Sequence, residues 1–278
     1  MSRFRRDAGW SGALVICVLA VTSVAGQRGG PPQPPRTPRA AAPIDLTGYW
    51  VSVVSEDWRY RMTTPPKGDV AGVPLNAAGR QAAGAWDPAR DEAAGEQCKA
   101  YGAAAIMRVP GRLHITWQDD ETLKLETDAG TQTRLLAFRA PRAPGNDWQG
   151  VSAASWDRSA SVMGAGGGIP FGGAPARGTG TPLPGLGATR QGAAGRSLEV
   201  VTTQLRPGYV RKNGAPYSGN AVVSEYFDLS KERNGDIWFV VTTIVDDPQY
   251  LTEPFVTSTN FKKQPDGTGW SPTPCSAR

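Results

Sequence analysis

The sequence predicts a mostly β protein, folded as an antiparallel barrel or, as the alternative, a β-sandwich, with one short helix and a long Gly-rich loop. Three observations favour this fold class. Apolar and polar residues alternate with period two along most of the chain, turn-forming residues separate these segments, and one segment has a helical composition. About nine or ten strands form a sheet that must twist and tends to close on itself, which favours the barrel.

The clearest strand pair is predicted in the middle of the chain. Residues 112–118 alternate in polarity, with Leu113, Ile115 and Trp117 on one face, and residues 121–128 continue the alternation after a short polar connection. The two segments are therefore predicted to form a hairpin. Further strands are predicted at 131–138, 147–157, 197–205, 221–229, 236–245 and 253–262.

Two elements stand out from this series. Residues 236–245 are apolar on both faces, which is typical of a central strand covered on both sides, and Asn234 begins an Asn-Gly turn before it. Residues 77–86 are rich in Ala and predict the one short helix, with Asn76 as its N-cap and Pro88 as its stop.

The start of the sequence has the pattern of a signal peptide at residues 1–26. Arginines precede an apolar run at 12–26, and small residues favour cleavage near Gly26–Gln27. The apolar run is shorter than the roughly 20 residues of a transmembrane helix, so the chain is predicted not to span a membrane. Secretion or a periplasmic location is the expectation.

Two segments of low complexity flank and interrupt the predicted β domain at 44–278. Residues 27–43 are rich in Pro and predict a disordered tether outside the fold. Residues 163–196 are rich in Gly, contain no acidic residue, and predict a disordered insert between two strands.

Cysteine count and charge narrow the function classes. Without the signal peptide only Cys98 and Cys275 remain, and two cysteines in an oxidising compartment predict one disulfide. The net charge of +5 is a mild excess spread along the chain, so a nucleic-acid partner is not expected.

Aromatic and charged residues alternate from Glu56 to Arg61. Trp58 and Tyr60, with Arg59 and Arg61 beside them, are predicted to form a rim that stacks on a planar or sugar ligand. Ordinary packing between strands explains the same pattern equally well.

His114 is the single histidine of the chain. A Ser-His-Asp or Cys-His triad would have to use it, but it lies on the polar side of its strand and is interpreted as a solvent-facing or cavity-facing residue. It is kept as a candidate ligand contact. No catalytic residue, metal ligand or cofactor is predicted.

Residues 45–50 resemble the Gly-x-Trp opening of lipocalin-type barrels. In that family the Trp plugs one end of the barrel under a basic residue of a late strand. The resemblance implies structural roles for Gly48 and Trp50, with Lys262 or Lys263 as the cover.

The order of later segments is similar to a group of uncharacterised secreted bacterial proteins. This resemblance covers most of 45–278 and implies an exported barrel-like protein, but it supplies no catalytic residues. The segments that carry it are Cys98, 109–112, 127–130, Trp148, Trp156, 246–248 and 254–255.

Together these patterns favour an exported protein that binds a small, partly apolar ligand non-covalently in a β-barrel. Two alternatives stay open. One is a cell-envelope module that interacts with a glycan or a protein, and the other is a hydrolase or isomerase that uses a cavity carboxylate or His114. The pattern favours binding over catalysis.

Overall fold

A computed structural model describes residues 35–139, 147–157 and 197–278. The predicted signal peptide, the first part of the tether and the Gly-rich insert at 163–196 lie outside the described residues. In the described part, no helix is long and apolar enough to cross a membrane. The strands are β1 (Gly48–Val53), β2 (Arg112–Trp117), β3 (Thr122–Thr127), β4 (Thr133–Ala137), β5 (Val151–Trp156), β6 (Ser197–Thr203), β7 (Gly208–Arg211), β8 (Ala215–Tyr217), β9 (Val222–Lys231), β10 (Ile237–Asp246) and β11 (Phe255–Gln264).

Nine of these strands close into a barrel in the order β1-β11-β10-β9-β6-β5-β4-β3-β2, while β7 and β8 form a separate hairpin. The prediction of a barrel is confirmed. The barrel is mixed rather than wholly antiparallel, because β4 and β5 pair in parallel through Leu136 and Ser152. Parallel neighbours enter a sheet at the same end, so β5 begins where β4 began.

Three short α-helices occur in the described ranges, not the single one predicted: α1 (Trp58–Arg61), α2 (Ala77–Gly84) and α3 (Pro88–Ala93). The predicted helix is α2, and the Asn76 side chain accepts a hydrogen bond from the Gly79 backbone N–H at 2.9 Å, as an N-cap does. Pro88 ends no helix but begins α3, since proline fits a first helical turn, where no N–H is needed.

The two ends of the barrel differ. We call the end where β1 begins the plug end and the end where β1 finishes the helical end. At the helical end, α2 packs on β8, and a buried apolar cluster that includes Leu75, Tyr217 and Phe255 fills the space beneath. A second cluster, with Trp50, Phe227 and other apolar side chains, fills the barrel toward the plug end.

A polar layer lies inside the barrel on strands β4, β5, β6 and β9. Arg134 and Glu225 are completely buried and form a bidentate ion pair, with N···O distances of 3.0 and 2.6 Å. Thr202 accepts a further hydrogen bond from Arg134 at 3.3 Å, and its hydroxyl lies 2.8 Å from that of Ser152. Because both charges are paired and hydrogen-bonded, much of the penalty of removing them from water is offset.

Trp50 is fully buried at the plug end. Its indole N–H donates to the Leu46 carbonyl at 2.8 Å, and its ring meets Phe239 edge-on at 4.5 Å. The Lys263 ammonium lies 5.2 Å above the indole ring, and Lys263 is the strand partner of Trp50. Of the two lysines considered from the sequence, Lys263 rather than Lys262 therefore lies over the Trp50 ring.

Gly48 lies at the start of β1, and Lys262 forms an ion pair away from Trp50. Gly48 has φ +106°, a backbone conformation that a residue with a side chain would adopt only under strain. The Lys262 ammonium pairs with Asp236 at 2.8 Å rather than with the plug.

Part of the predicted tether rests on the barrel. The Pro38 carbonyl accepts a hydrogen bond from the indole N–H of Trp156 at 2.9 Å, and the Arg39 N–H donates to the Asp120 carbonyl at 3.1 Å. The described end of 27–43 is thus attached to the fold by specific contacts rather than lying outside it.

Cys98 and Cys275 form the predicted disulfide, which joins positions separated by 177 residues. Beside it, Ala129 and Thr273 form an isolated parallel bridge. The bond therefore holds the C-terminal segment against the turn between β3 and β4.

Replacing Trp50 by Ala should lower the free energy of unfolding by about 3–5 kcal/mol, because a buried aromatic side chain is lost and a cavity remains. Urea unfolding followed by circular dichroism measures the change. The matched control is Trp58→Ala, whose side chain is 66% exposed and whose removal should change stability by at most about 0.5 kcal/mol. Equal losses in the two variants would contradict the buried position of Trp50.

Reducing the Cys98–Cys275 bond should lower the free energy of unfolding by about 2–5 kcal/mol, because the unfolded chain is released from a long closed loop. Urea unfolding with and without a reductant measures this. Thiol labelling in denaturant should find two more reactive cysteines after reduction than before. An unchanged thiol count would show that the pair is not bonded.

Candidate functional site

The predicted aromatic and basic rim is divided by the structure. In a strand, Trp58 and Tyr60 would share a face, but they lie in the single turn of α1, where side chains two positions apart point in different directions. Trp58 is exposed, and Arg59 is exposed too and pairs with Asp69 at 3.3 Å. Only Tyr60 and Arg61 reach a pocket at the helical end of the barrel.

This pocket, which we call the arginine pocket, is open to solvent and has a cavity volume of about 60 Å³. Four cationic residues, five small or apolar residues and one tyrosine make up its described lining, and no carboxylate is among them. The lining residues are Tyr60, Arg61, Ala100, Ala105, Arg108, Val109, Pro110, Val210, Arg211 and Lys212.

Arg61 forms the fixed back of the pocket. Its side chain is 1% exposed and pairs with Glu56, while its Nε donates to the Arg108 carbonyl at 2.9 Å and its Nη2 to the Ser52 hydroxyl at 3.0 Å. Burial lowers the pKa of Arg61, Glu56 opposes this shift, and the neighbouring Arg108 guanidinium lowers the pKa further. Each of its nitrogens has a partner within the protein.

Arg108 is bound to a carboxylate through one of its guanidinium nitrogens. It is the last residue of a short 3₁₀ turn, Ile106–Arg108, and is 7% exposed. Its Nη2 donates to Asp57 at 3.0 Å, and its guanidinium lies 5.7 Å from the Phe255 ring centre. Its Nη1 has no hydrogen-bond partner among the described residues and is almost inaccessible to solvent.

Arg211, at the end of β7, is 5% exposed. Its Nη1 donates to the Ala71 carbonyl at 2.9 Å, and its guanidinium lies 4.2 Å above the Tyr60 ring. In the described ranges it forms no ion pair with a carboxylate, and its Nε has no partner. Burial and the nearby Arg108 charge lower the pKa of Arg211, and the charges of Asp57 and Asp69 oppose part of this shift.

The arginine pocket thus gathers like charges that carboxylates compensate incompletely. Glu56 and Asp57 pair with Arg61 and Arg108, respectively, while Arg211 is held by a carbonyl and a ring. A concave surface of one charge sign with low-dielectric walls focuses its field on the cavity. The arrangement can therefore attract and hold an anion.

His114 lies elsewhere, on the outer face of β2. Its ring stacks on Tyr49 at 4.1 Å between centroids, Trp270 meets it edge-on at 6.2 Å, and its Nδ1 is 3.3 Å from Glu126. It does not line the arginine pocket. The structure therefore does not bring His114 together with Tyr60 and Arg61.

Sequence reasoning missed a second polar cluster, between α3 and β7. Lys99 pairs with Asp91 at 2.7 Å and with Glu96, and the Tyr209 hydroxyl donates to Asp91 at 2.8 Å. Partial burial lowers the pKa of Lys99, but the hydrogen bonds to Asp91 and Glu96 outweigh it and raise that pKa well above its usual value. A lysine held protonated in this way does not serve as a base or nucleophile at neutral pH.

In the described part of the chain, no three His, Cys, Asp or Glu side chains come together as they would around a metal ion. Comparisons with protein families, with curated proteins and with solved structures returned no match. The function must therefore be inferred from the chemistry of the arginine pocket.

Tyr209 should titrate well above the ordinary tyrosine, because burial and its hydrogen bond to Asp91 raise its pKa to about 12. An unfolded tyrosine loses its proton near pH 10. The stability that the folded protein gains from keeping Tyr209 protonated is therefore intact below about pH 10 and is lost as the pH rises toward 12. The tyrosinate absorbance of the wild type minus that of Tyr209→Phe isolates the transition. Asp91→Asn should shift it to lower pH, and a transition near pH 10 in the wild type would contradict the network.

Proposed function

We propose that the protein is an exported barrel that binds a small, partly apolar ligand non-covalently in the arginine pocket. The observation that carries the proposal is the pair of buried guanidiniums, Arg108 and Arg211, each with an unpartnered N–H group, beside apolar pocket walls. Leaving a buried donor without an acceptor costs about 1–3 kcal/mol, and more for a charged group. A negative charge inside the pocket would offset part of this cost through its attraction to both guanidiniums.

The packing of the barrel supports this position for the site. Toward the plug end, the barrel interior is filled by aromatic rings that pack on one another: Trp50, Phe227, Phe239 and Phe261. The helical end, by contrast, is covered by short helices and turns, and connecting segments of this kind often carry binding sites. Ligand pockets commonly combine apolar walls with a few polar groups of fixed direction, as this pocket does.

Catalysis has less support than binding. Glu225, the fully buried glutamate of the barrel interior, is bound on both oxygens by Arg134. His114 packs on the outer face of β2 between Tyr49 and Trp270. A cell-envelope module would need several aromatic rings exposed together. Trp58 is exposed, but Tyr60 lies beneath the Arg211 guanidinium, and the three rings around His114 pack on one another.

Export and the likeness to lipocalin-type barrels are parts of the same proposal. The Cys98–Cys275 disulfide suits an oxidising compartment, in agreement with the sequence pattern of 1–26. The buried Trp50 beneath Lys263 matches the plug and cover that the Gly-x-Trp resemblance implies.

The pocket can be tested with four small probes: benzoate, hexanoate, benzyl alcohol and hexanol. We expect at least one of them to bind and to shift the NMR methyl signals of Val109 and Val210, which line the arginine pocket. The methyl signals of Val222 and Val256, which are exposed on strand surfaces, serve as the internal control and should stay in place.

Mass spectrometry of small molecules that co-purify with the protein from its native host complements the NMR experiment. A released molecule that competes with the bound probe would identify the natural ligand. Absence of binding for all four probes, or shifts confined to the exposed valines, would contradict the proposed function.

A further inference from the structure

If the arginine pocket binds a ligand as proposed, the charges around the pocket indicate the chemical class of that ligand. Arg61 is neutralised by Glu56 and has a partner for every nitrogen. Arg108 is neutralised by Asp57 but keeps Nη1 unpartnered. Arg211 pairs with no carboxylate among the described residues and keeps Nε unpartnered.

Lys212 adds a further positive charge at the wall. Its ammonium donates to a main-chain oxygen of Arg278 at 3.0 Å and lies 4.9 Å from the Tyr101 ring centre. These two contacts fix the position of the ammonium. A cationic ligand would meet the Arg211 guanidinium, which no carboxylate pairs with in the described ranges, and would be rejected.

We propose that the arginine pocket binds a small organic carboxylate. The carboxylate lies against the guanidiniums of Arg108 and Arg211 and offsets their charge, and the apolar body of the ligand lies against Val109, Pro110 and Val210. Guanidinium groups match carboxylates in shape and hydrogen-bond number, and such charged hydrogen bonds are the strong ones.

A single negative charge fits better than a multiply charged ion. Glu56 and Asp57 already compensate two of the three guanidiniums, so the buried charge that remains is that of Arg211. A monoanion balances it. The apolar part of the wall also favours a ligand with a hydrocarbon body over inorganic phosphate or sulfate, whose surfaces are wholly polar.

The charge of the ligand can be tested on the wild-type protein with matched probes. Benzoate is compared with benzyl alcohol, hexanoate with hexanol, and inorganic phosphate serves as an anion without an apolar body. Isothermal titration calorimetry at neutral pH should show each carboxylate binding about 10- to 100-fold more tightly than its neutral counterpart, the difference expected for hydrogen bonds to charged groups. Phosphate should bind more weakly than either carboxylate.

A pair of variants tests the residues. Arg211→Met keeps the length of the side chain but removes its charge, and should weaken benzoate binding about 10- to 100-fold while leaving benzyl alcohol binding nearly unchanged. The matched control is Arg59→Met, which removes an exposed guanidinium of α1 outside the pocket and should leave both affinities nearly unchanged. Circular dichroism and the melting temperature establish that both variants fold.

The outcomes separate this inference from the proposed function. Equal affinity for carboxylates and alcohols, with shifts at Val109 and Val210, would overturn the carboxylate inference while the binding function stands. Tighter binding of phosphate than of benzoate would overturn the carboxylate class. Equal losses in Arg211→Met and Arg59→Met would show a general charge effect and would also overturn it. Absence of binding for every probe would overturn both proposals.

Discussion

The pairing of β1 with β11 turns a sheet with two open edges into a closed barrel, and both ends of the molecule depend on it. At the plug end it sets Trp50 opposite Lys263, so the indole is sealed by the strand that closes the sheet. At the other end Asn260, on the same closing strand, donates to Glu56 at 2.9 Å, and Glu56 holds Arg61 at the back of the arginine pocket. Closure and site are thus connected through one strand.

The fold contains buried arginines in two different settings. In the barrel interior both oxygens of Glu225 meet Arg134, which leaves the pair well compensated. In the arginine pocket, Arg211 is held by the Ala71 carbonyl and the Tyr60 ring. These uncharged groups fix its position but do not compensate its charge. Proteins tend to depart from local rules of charge compensation at functional sites, where a ligand supplies the missing partner.

The buried pair also constrains the register of the sheet. Glu225 and Arg134 face inward, so a slip of β9 or β4 by one residue would turn a charged side chain outward and leave the other buried without its partner. The apolar clusters on either side tolerate exchanges of similar volume more readily than this pair tolerates displacement. The polar layer therefore contributes to specifying one barrel among the alternatives.

Features that depend on neighbours along the chain can be predicted from the sequence alone: the alternation around Leu113 that forms β2, the Asn76 cap of α2, and a disulfide that follows from the cysteine count. Tyr60 was singled out from the sequence, but neither its helical turn nor the parallel pairing of β4 with β5 was predicted. Only the tertiary structure brought Arg108 and Arg211 to Tyr60, because they lie far apart in sequence in segments with no shared motif. Local patterns encode which face of an element is buried, whereas a pocket assembled from distant turns exists only once the barrel has closed.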